Sequence, residues 1–445
     1  MATSNKVFSL EGKGLKLTTA EDVEPHIKSL RSMSDVHEIR LQGNTLGIDA
    51  CKALGEVLET KKSLQVRKIS GFQLRLPGMG IPLTRMVVQI ANFADIFTGR
   101  LLSEIPTALS SLLTALLTLP KLHTVNLNDN AFGLNMQAPL VAFLSSHIPL
   151  RHLHLNNNGL GPHAGILIAD ALSALHAGKL EARKAGTDVP DLETVICGRN
   201  RLENGSMTAW AKAYSLHTGV KEVKMVQNGI RQEGISHLLT EGLRYAKAIK
   251  VLDLQDNTFT ITGSKALAKV VSGWTDIQEL GVGDSLLSAR GGVAVANALA
   301  LGRNKRLEIL RLQYNDIDAK GLKAFTAAIK DAVPALRKIE LNGNKFSEED
   351  PSLTILRDIL EERKEQLAGD VVDEDEWGVD SLSDLEDDSE EEADEEDENE
   401  EEEEEEEERR EKLLEDAEEA QEQPVVQKDD KEVDKLALEL EKTEL

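Results

Sequence analysis

One motif recurs down this chain at a nearly fixed interval, and it constrains the fold more than any other feature. The stretches 122–130, 150–158 and 249–257 each read L-x-x-L-x-L-x-x-N, with leucine or a related apolar residue in the first three fixed slots. The closing asparagines fall at Asn44, Asn130, Asn158, Asn200, Asn228, Asn257, Asn315 and Asn344, with Ser285 filling one slot. From Asn130 onward the steps are 28 to 30 residues, except for one of 42 between Asn158 and Asn200. That longer step predicts an extra loop within 176–190. A weaker unit, 90–98, places Thr98 in the asparagine slot.

The pattern is the leucine-rich-repeat consensus, and its period has a physical reading. A single unit cannot bury its own apolar face, so neighbours must stack. The apolar residues flanking each short strand point inward, and the residues between them face a parallel sheet whose strands are spaced about 4.8 Å apart. The asparagine sits where the chain leaves the strand, and its amide can satisfy backbone groups that the turn leaves unpaired. The remainder of each period accommodates a helix, as the spacing of Ile166, Ala169, Ala171 and Leu172 suggests. The expected fold is α/β: a β/α horseshoe with strands inside and helices outside. It is expected to span 1–369, with an N-terminal cap beginning near 11–17 and a closing helix over 353–367.

Charge divides the chain. Residues 370–445 hold 40 acidic and 7 basic side chains, so this segment carries the acidity of a chain whose formal net charge is −27. Glu400–Glu408 is unbroken glutamate. Such a composition cannot bury enough apolar surface to offset its ordering entropy, so 370–445 is expected to be a disordered acidic tail, either a solubilising appendage or a decoy for basic partners such as histones or import factors. Cys51 and Cys197 are too few for a disulfide framework, and Cys197 fills an apolar slot, which fits a buried thiol in a reducing compartment. The N-terminus lacks the apolar core of a signal peptide, and no run is long enough to span a membrane. These features imply a soluble intracellular protein.

Catalytic motifs are absent. There is no phosphate-binding G-x-x-x-x-G-K-[ST] loop, and the glycine-rich stretch 281–292 contains no lysine. His152 and His154 lie on one face of a strand without further metal-ligand spacing, so no metal is expected. Two features remain. A threonine–glycine turn in 93–100 presents Arg100 as a charge projected from a rigid edge. The position just before each ladder asparagine is solvent-facing and carries Asp129, Asn157, Arg199, Gln227 and Asp256. With Asp95 and Thr98 of the turn, the members Asp129, Arg199 and Asp256 are the candidate partner-binding residues.

The stretches IFTGR (96–100), CGRNRLENGS (197–206), KMVQNGIR (224–231) and VLDLQDNTFT (251–260) go beyond the generic repeat. On these, and on similar blocks in order over nearly all of 1–350, the chain resembles the Ran GTPase-activating protein family in its compact fungal form. The resemblance implies a cytoplasmic, perinuclear activator that accelerates Ran·GTP hydrolysis in support of nucleocytoplasmic transport, together with a Ran-binding protein. It implies no cofactor of the activator's own, since GTP and Mg²⁺ belong to Ran. It also implies that Asn157 contacts Ran's catalytic glutamine, and that the essential Arg100 supports the interface without entering the active site as a finger. Nucleic acid and membrane are not expected partners. An acidic leucine-rich-repeat histone chaperone is the alternative, though its horseshoes are shorter; the cysteine-rich ribonuclease inhibitor fits less well.

Residues 66–89 interrupt the beat. Excising these 24 residues shortens the step from Asn44 to Thr98 from 54 to 30. The insert contains no Asp or Glu, and its ends can be encoded by splice-donor and splice-acceptor sequences. It reads as a translated intron, with a genuine loop on the repeat edge as the alternative, and is expected to form an irregular excursion near Arg100.

Overall fold

The apolar slots of successive repeats become the inner strands of one parallel sheet. The computed structural model describes residues 7–33, 36–60, 88–133, 137–367 and 374–386. Among them, twelve strands pair in chain order: β1 (Val7–Ser9), β2 (Glu38–Arg40), β3 (Ile90–Asn92), β4 (Thr124–Asn126), β5 (His152–His154), β6 (Thr194–Ile196), β7 (Glu222–Lys224), β8 (Val251–Asp253), β9 (Glu279–Gly281), β10 (Ile309–Arg311), β11 (Lys338–Glu340) and β12 (Gly378–Val379). Helices return between them, from Ala20–Ser32 to Pro351–Leu367, forming the outer layer. The central residue of most strands is buried, and its neighbours are only half-buried on the inner face. Leu127, Leu155, Leu254 and Leu312 fill the third apolar slot beneath this face.

The asparagine ladder closes the strand exits. Asn158 Nδ2 donates to Leu127 O at 3.0 Å, Leu155 O at 2.9 Å and Asn156 O at 3.2 Å. Its Oδ1 accepts the backbone N–H of Asn130 at 2.9 Å, and Asn200 Oδ1 accepts that of Asn158 at 3.0 Å. Asn228, Asn257, Asn315 and Asn344 repeat the arrangement. One side chain thus satisfies carbonyls within its own turn and in the preceding repeat, which is what favours asparagine in this slot. Ser285 reaches only Gly283 O, but its N–H still donates to Asn315 Oδ1.

Four expectations need correction. The ladder slot of the weak repeat is Ile96, not Thr98. Pairing of Ala91 with Val125 fixes the register, and Ile96 N donates to Asn130 Oδ1 at 2.9 Å. This segment is apolar in both phases, so the sheet pairing selected between them. Second, the end of the 66–89 insert is not irregular. Val88 is buried in the first apolar slot, and Gln89 donates to His37 O at 2.7 Å while accepting from His123 N at 2.9 Å. The rest of the insert lies outside the described residues.

Third, the extra residues before Asn200 mostly extend a helix, Gly161–Lys184, instead of forming a loop. The extension carries Lys179, which is 1% exposed and donates to Ile148 O, Leu150 O and Pro190 O at 2.6, 2.7 and 2.8 Å. Fourth, the sheet starts ahead of the expected cap, within 1–369, and runs past the expected C-terminal end. β1 precedes the expected cap, and β12 pairs with β11 within the segment assigned to the tail. There Asp380 accepts from Leu341 N at 2.7 Å, and Asp384 from Tyr314 Oη at 2.7 Å. Asp380 packs here because it accepts from the backbone N–H groups of Leu341 and Asn342, just past β11 at the edge of the repeats. The remaining acidic segment, from 387, lies outside the described residues.

Candidate functional site: the strand-exit rim

Each chain leaves its strand through a residue in the left-handed conformation. Asp95 (φ 46°), Asp129 (61°), Asn157 (54°), Arg199 (55°), Gln227 (53°), Asp256 (56°), Asp284 (52°) and Tyr314 (54°) occupy this slot. Asn and Asp tolerate positive φ best, because their short polar side chains bond locally. Each N–H donates to the next repeat, as Asp129 N does to Asn156 O at 2.9 Å and Asn157 N to Gly198 O at 3.0 Å. The backbone is therefore fixed while the side chain is directed outward, one per repeat, along the edge of the sheet.

At the centre of this rim, Asn157 is exposed and donates Nδ2–H to Asp129 Oδ1 at 2.9 Å. The bond sets the rotation of the amide. Further along, burial raises the Asp256 carboxyl above the usual carboxylate range, and neighbouring Asp284 adds to the shift. On the adjoining inner face, His123 and His152 meet edge to face with ring centroids 6.1 Å apart. Burial and the charge of Arg151 depress the affinity of both for protons.

The structure brings Asp95, Asp129, Asn157, Arg199 and Asp256 into one row and leaves Thr98 and Arg100 in the loop beyond it. Thr98 Oγ1 donates to Asp95 Oδ1, and Thr98 O accepts from Thr45 Oγ1 at 2.9 Å. Arg100 differs from the sequence expectation. It is not a projected charge: Nη2 donates to Thr18 Oγ1 at 3.0 Å, Thr45 O at 3.2 Å and Leu17 O at 3.3 Å, tying the turn to the N-terminal cap. Sequence reasoning missed Asp284 and Tyr314, although the same slot count would have found them.

Stacked repeats with a regular polar exit rim define a leucine-rich-repeat protein that works through a surface. A family model for the leucine-rich repeat matches residues 303–325. The chain is 38% identical over 356 residues to Ran GTPase-activating protein 1 of Saccharomyces cerevisiae, covering 79% of this chain and 81% of that protein. It is 33% identical to the Ran GTPase-activating protein of Drosophila melanogaster, covering 77% of this chain and 53% of the relative, and 38% identical to Ran GTPase-activating protein 1 of Xenopus laevis, covering 50% and 34%. The chain belongs to the Ran GTPase-activating protein family.

Proposed function

We propose that this protein activates hydrolysis of GTP by Ran through its exit rim, with Asn157 as the central contact. It is a GTPase activator by family, and the match over 81% of the yeast relative carries this conclusion. The finer reading places the nucleotide and Mg²⁺ on Ran and gives the activator no nucleotide site of its own. It places the protein in the cytoplasm, in support of nuclear transport, with a Ran-binding protein as a further partner and basic proteins as partners of the acidic segment. Among the described residues, no helix is long and apolar enough to cross a membrane.

Asn157 suits a positioning role. Its amide carries no charge to neutralise the transferring phosphoryl group. It can, however, accept from and donate to a glutamine amide, holding that side chain so that it orients the attacking water. Asp129 supports this by fixing the Asn157 rotamer. Asp95, Thr98, Arg199 and Asp256 extend the contact on either side. Arg100 acts from within the activator, consistent with its bonds to Leu17, Thr18 and Thr45. The test is phosphate release from Ran·GTP with catalytic amounts of this chain, beside an unrelated small GTPase. Acceleration of Ran alone is expected; equal stimulation of both, or of neither, refutes the reading.

A further inference from the structure

The turn after Arg100 exposes two consecutive leucines. Leu101 is 67% and Leu102 59% exposed, the only adjacent pair among the exposed large apolar residues of the described chain. Single exposed leucines are ordinary on a soluble surface; an adjacent pair that the fold prevents from collapsing inward is less so.

This turn is restrained on every side. Phe97 and Ile105, which bracket it, are 3% and 2% exposed. Arg100 N donates to Phe97 O at 3.0 Å, and Glu104 N to Leu101 O at 2.9 Å. Thr98 bonds to Asp95 and, through its carbonyl, to Thr45. Gly99 takes φ 77°, and the Arg100 guanidinium is anchored on the cap. The bonds converge on the turn's backbone and on Arg100, so the leucine side chains are held outward. The turn leaves β3 on the edge that carries Asp95, Asp129 and Asn157, and two strand steps separate the Asp95 and Asn157 slots, about 10 Å.

We propose that Leu101 and Leu102 form the apolar anchor on which GTP-loaded Ran docks, and that Arg100 is a positioning residue for this pair. The inference rests on the rim reading above, and continuity with that rim selects the occupant. A polar row alone supplies orientation but little apolar burial; an aliphatic pair beside it supplies the desolvated contact that concentrates binding energy at interfaces. The leucines would therefore govern affinity, and Asn157 the chemical step.

The test uses the full chain carrying L101S/L102S in multiple-turnover hydrolysis with Ran·GTP varied. The expected result is a KM raised by about tenfold or more, a kcat within about twofold of the parent, and an unchanged melting temperature. Restoring apolarity with L101M/L102M should recover KM. Arg100→Ala should raise KM as well, yet add little when combined with L101S/L102S, because both changes remove the same anchor. A KM for L101S/L102S within twofold of the parent overturns the proposal. So does a parent that sediments as a dimer which L101S/L102S dissociates, since the pair would then serve self-association. Fully additive effects of Arg100→Ala and the leucine changes overturn the role given to Arg100. Asn157→Ala, assayed in parallel, separates the two readings: an unchanged kcat there refutes the rim assignment whatever the leucines do.

Discussion

Asn157 and Asn158 are consecutive, and the fold treats them as opposites. Asn158 is fully buried, with its amide committed to three carbonyls and one N–H. Asn157 is exposed in a left-handed turn, with one bond to Asp129. The contrast holds for whole rows. The ladder is mostly asparagine, with Ile96 and Ser285 as departures, because its slot poses one hydrogen-bonding problem. The rim varies from Asp to Arg to Gln to Tyr because its backbone bonds are already made, which frees the side chain for recognition. A solenoid can thus present a partner surface on positions adjacent to those that hold it together.

The largest test of this division is Asn157→Ala, for which single-turnover hydrolysis by Ran should fall by about 10²-fold, with melting unchanged. Asn257→Ala should do the reverse. It takes the side-chain partner from Leu254 O and from the N–H groups of Asn228 and Ile230, and should cost about 2–3 kcal/mol in chemical denaturation while the folded fraction keeps its kcat. Loss of activity at full stability for Asn257→Ala would erase the distinction between the rows.

Acid should weaken the framework before the rim. Burial lowers the pKa of His147 and of His217 from 6.5 to about 4, and their Nε2 atoms meet Leu122 O and Leu172 O at 2.8 Å. The unfolded state then binds protons that the folded state refuses. Stability is complete above pH 6.5 and declines as pH falls toward 4, by roughly 1 kcal/mol per histidine at pH 6. Replacing both histidines with glutamine should flatten the melting-temperature profile over this range. A profile that keeps its slope would assign acid sensitivity elsewhere. The smallest effect is expected from Asp129→Ala: a few-fold loss of kcat, because Asn157 remains but its amide is free to rotate, with no measurable change in melting.

Much of this was legible in the residues. The 28-to-30-residue beat specified a stacked parallel sheet with outer helices, because each period holds one strand, one turn and one helix. The ladder slots were readable wherever apolar and polar residues alternate cleanly. They were not readable in 90–98, where apolar residues occupy both phases and only pairing with β4 distinguishes Ile96 from Thr98. Composition also misled in 374–386. Counting carboxylates cannot reveal that Asp380 and Asp384 find donors near β11, Asp380 at the backbone N–H groups of Leu341 and Asn342 and Asp384 at the side chains of Tyr314 and Asn342.

What the chain determined by itself was local and periodic: the repeat, the buried faces, the ladder and the exposed row beside it. Each follows from side-chain chemistry repeated at a fixed interval. Tertiary structure decided the matters that depend on residues far apart in sequence. It turned Arg100 back onto Leu17, Thr18 and Thr45, left Leu101 and Leu102 outside, and continued the sheet through β12. No short-range pattern encodes these outcomes, because the deciding hydrogen-bond partners come together only when distant repeats stack.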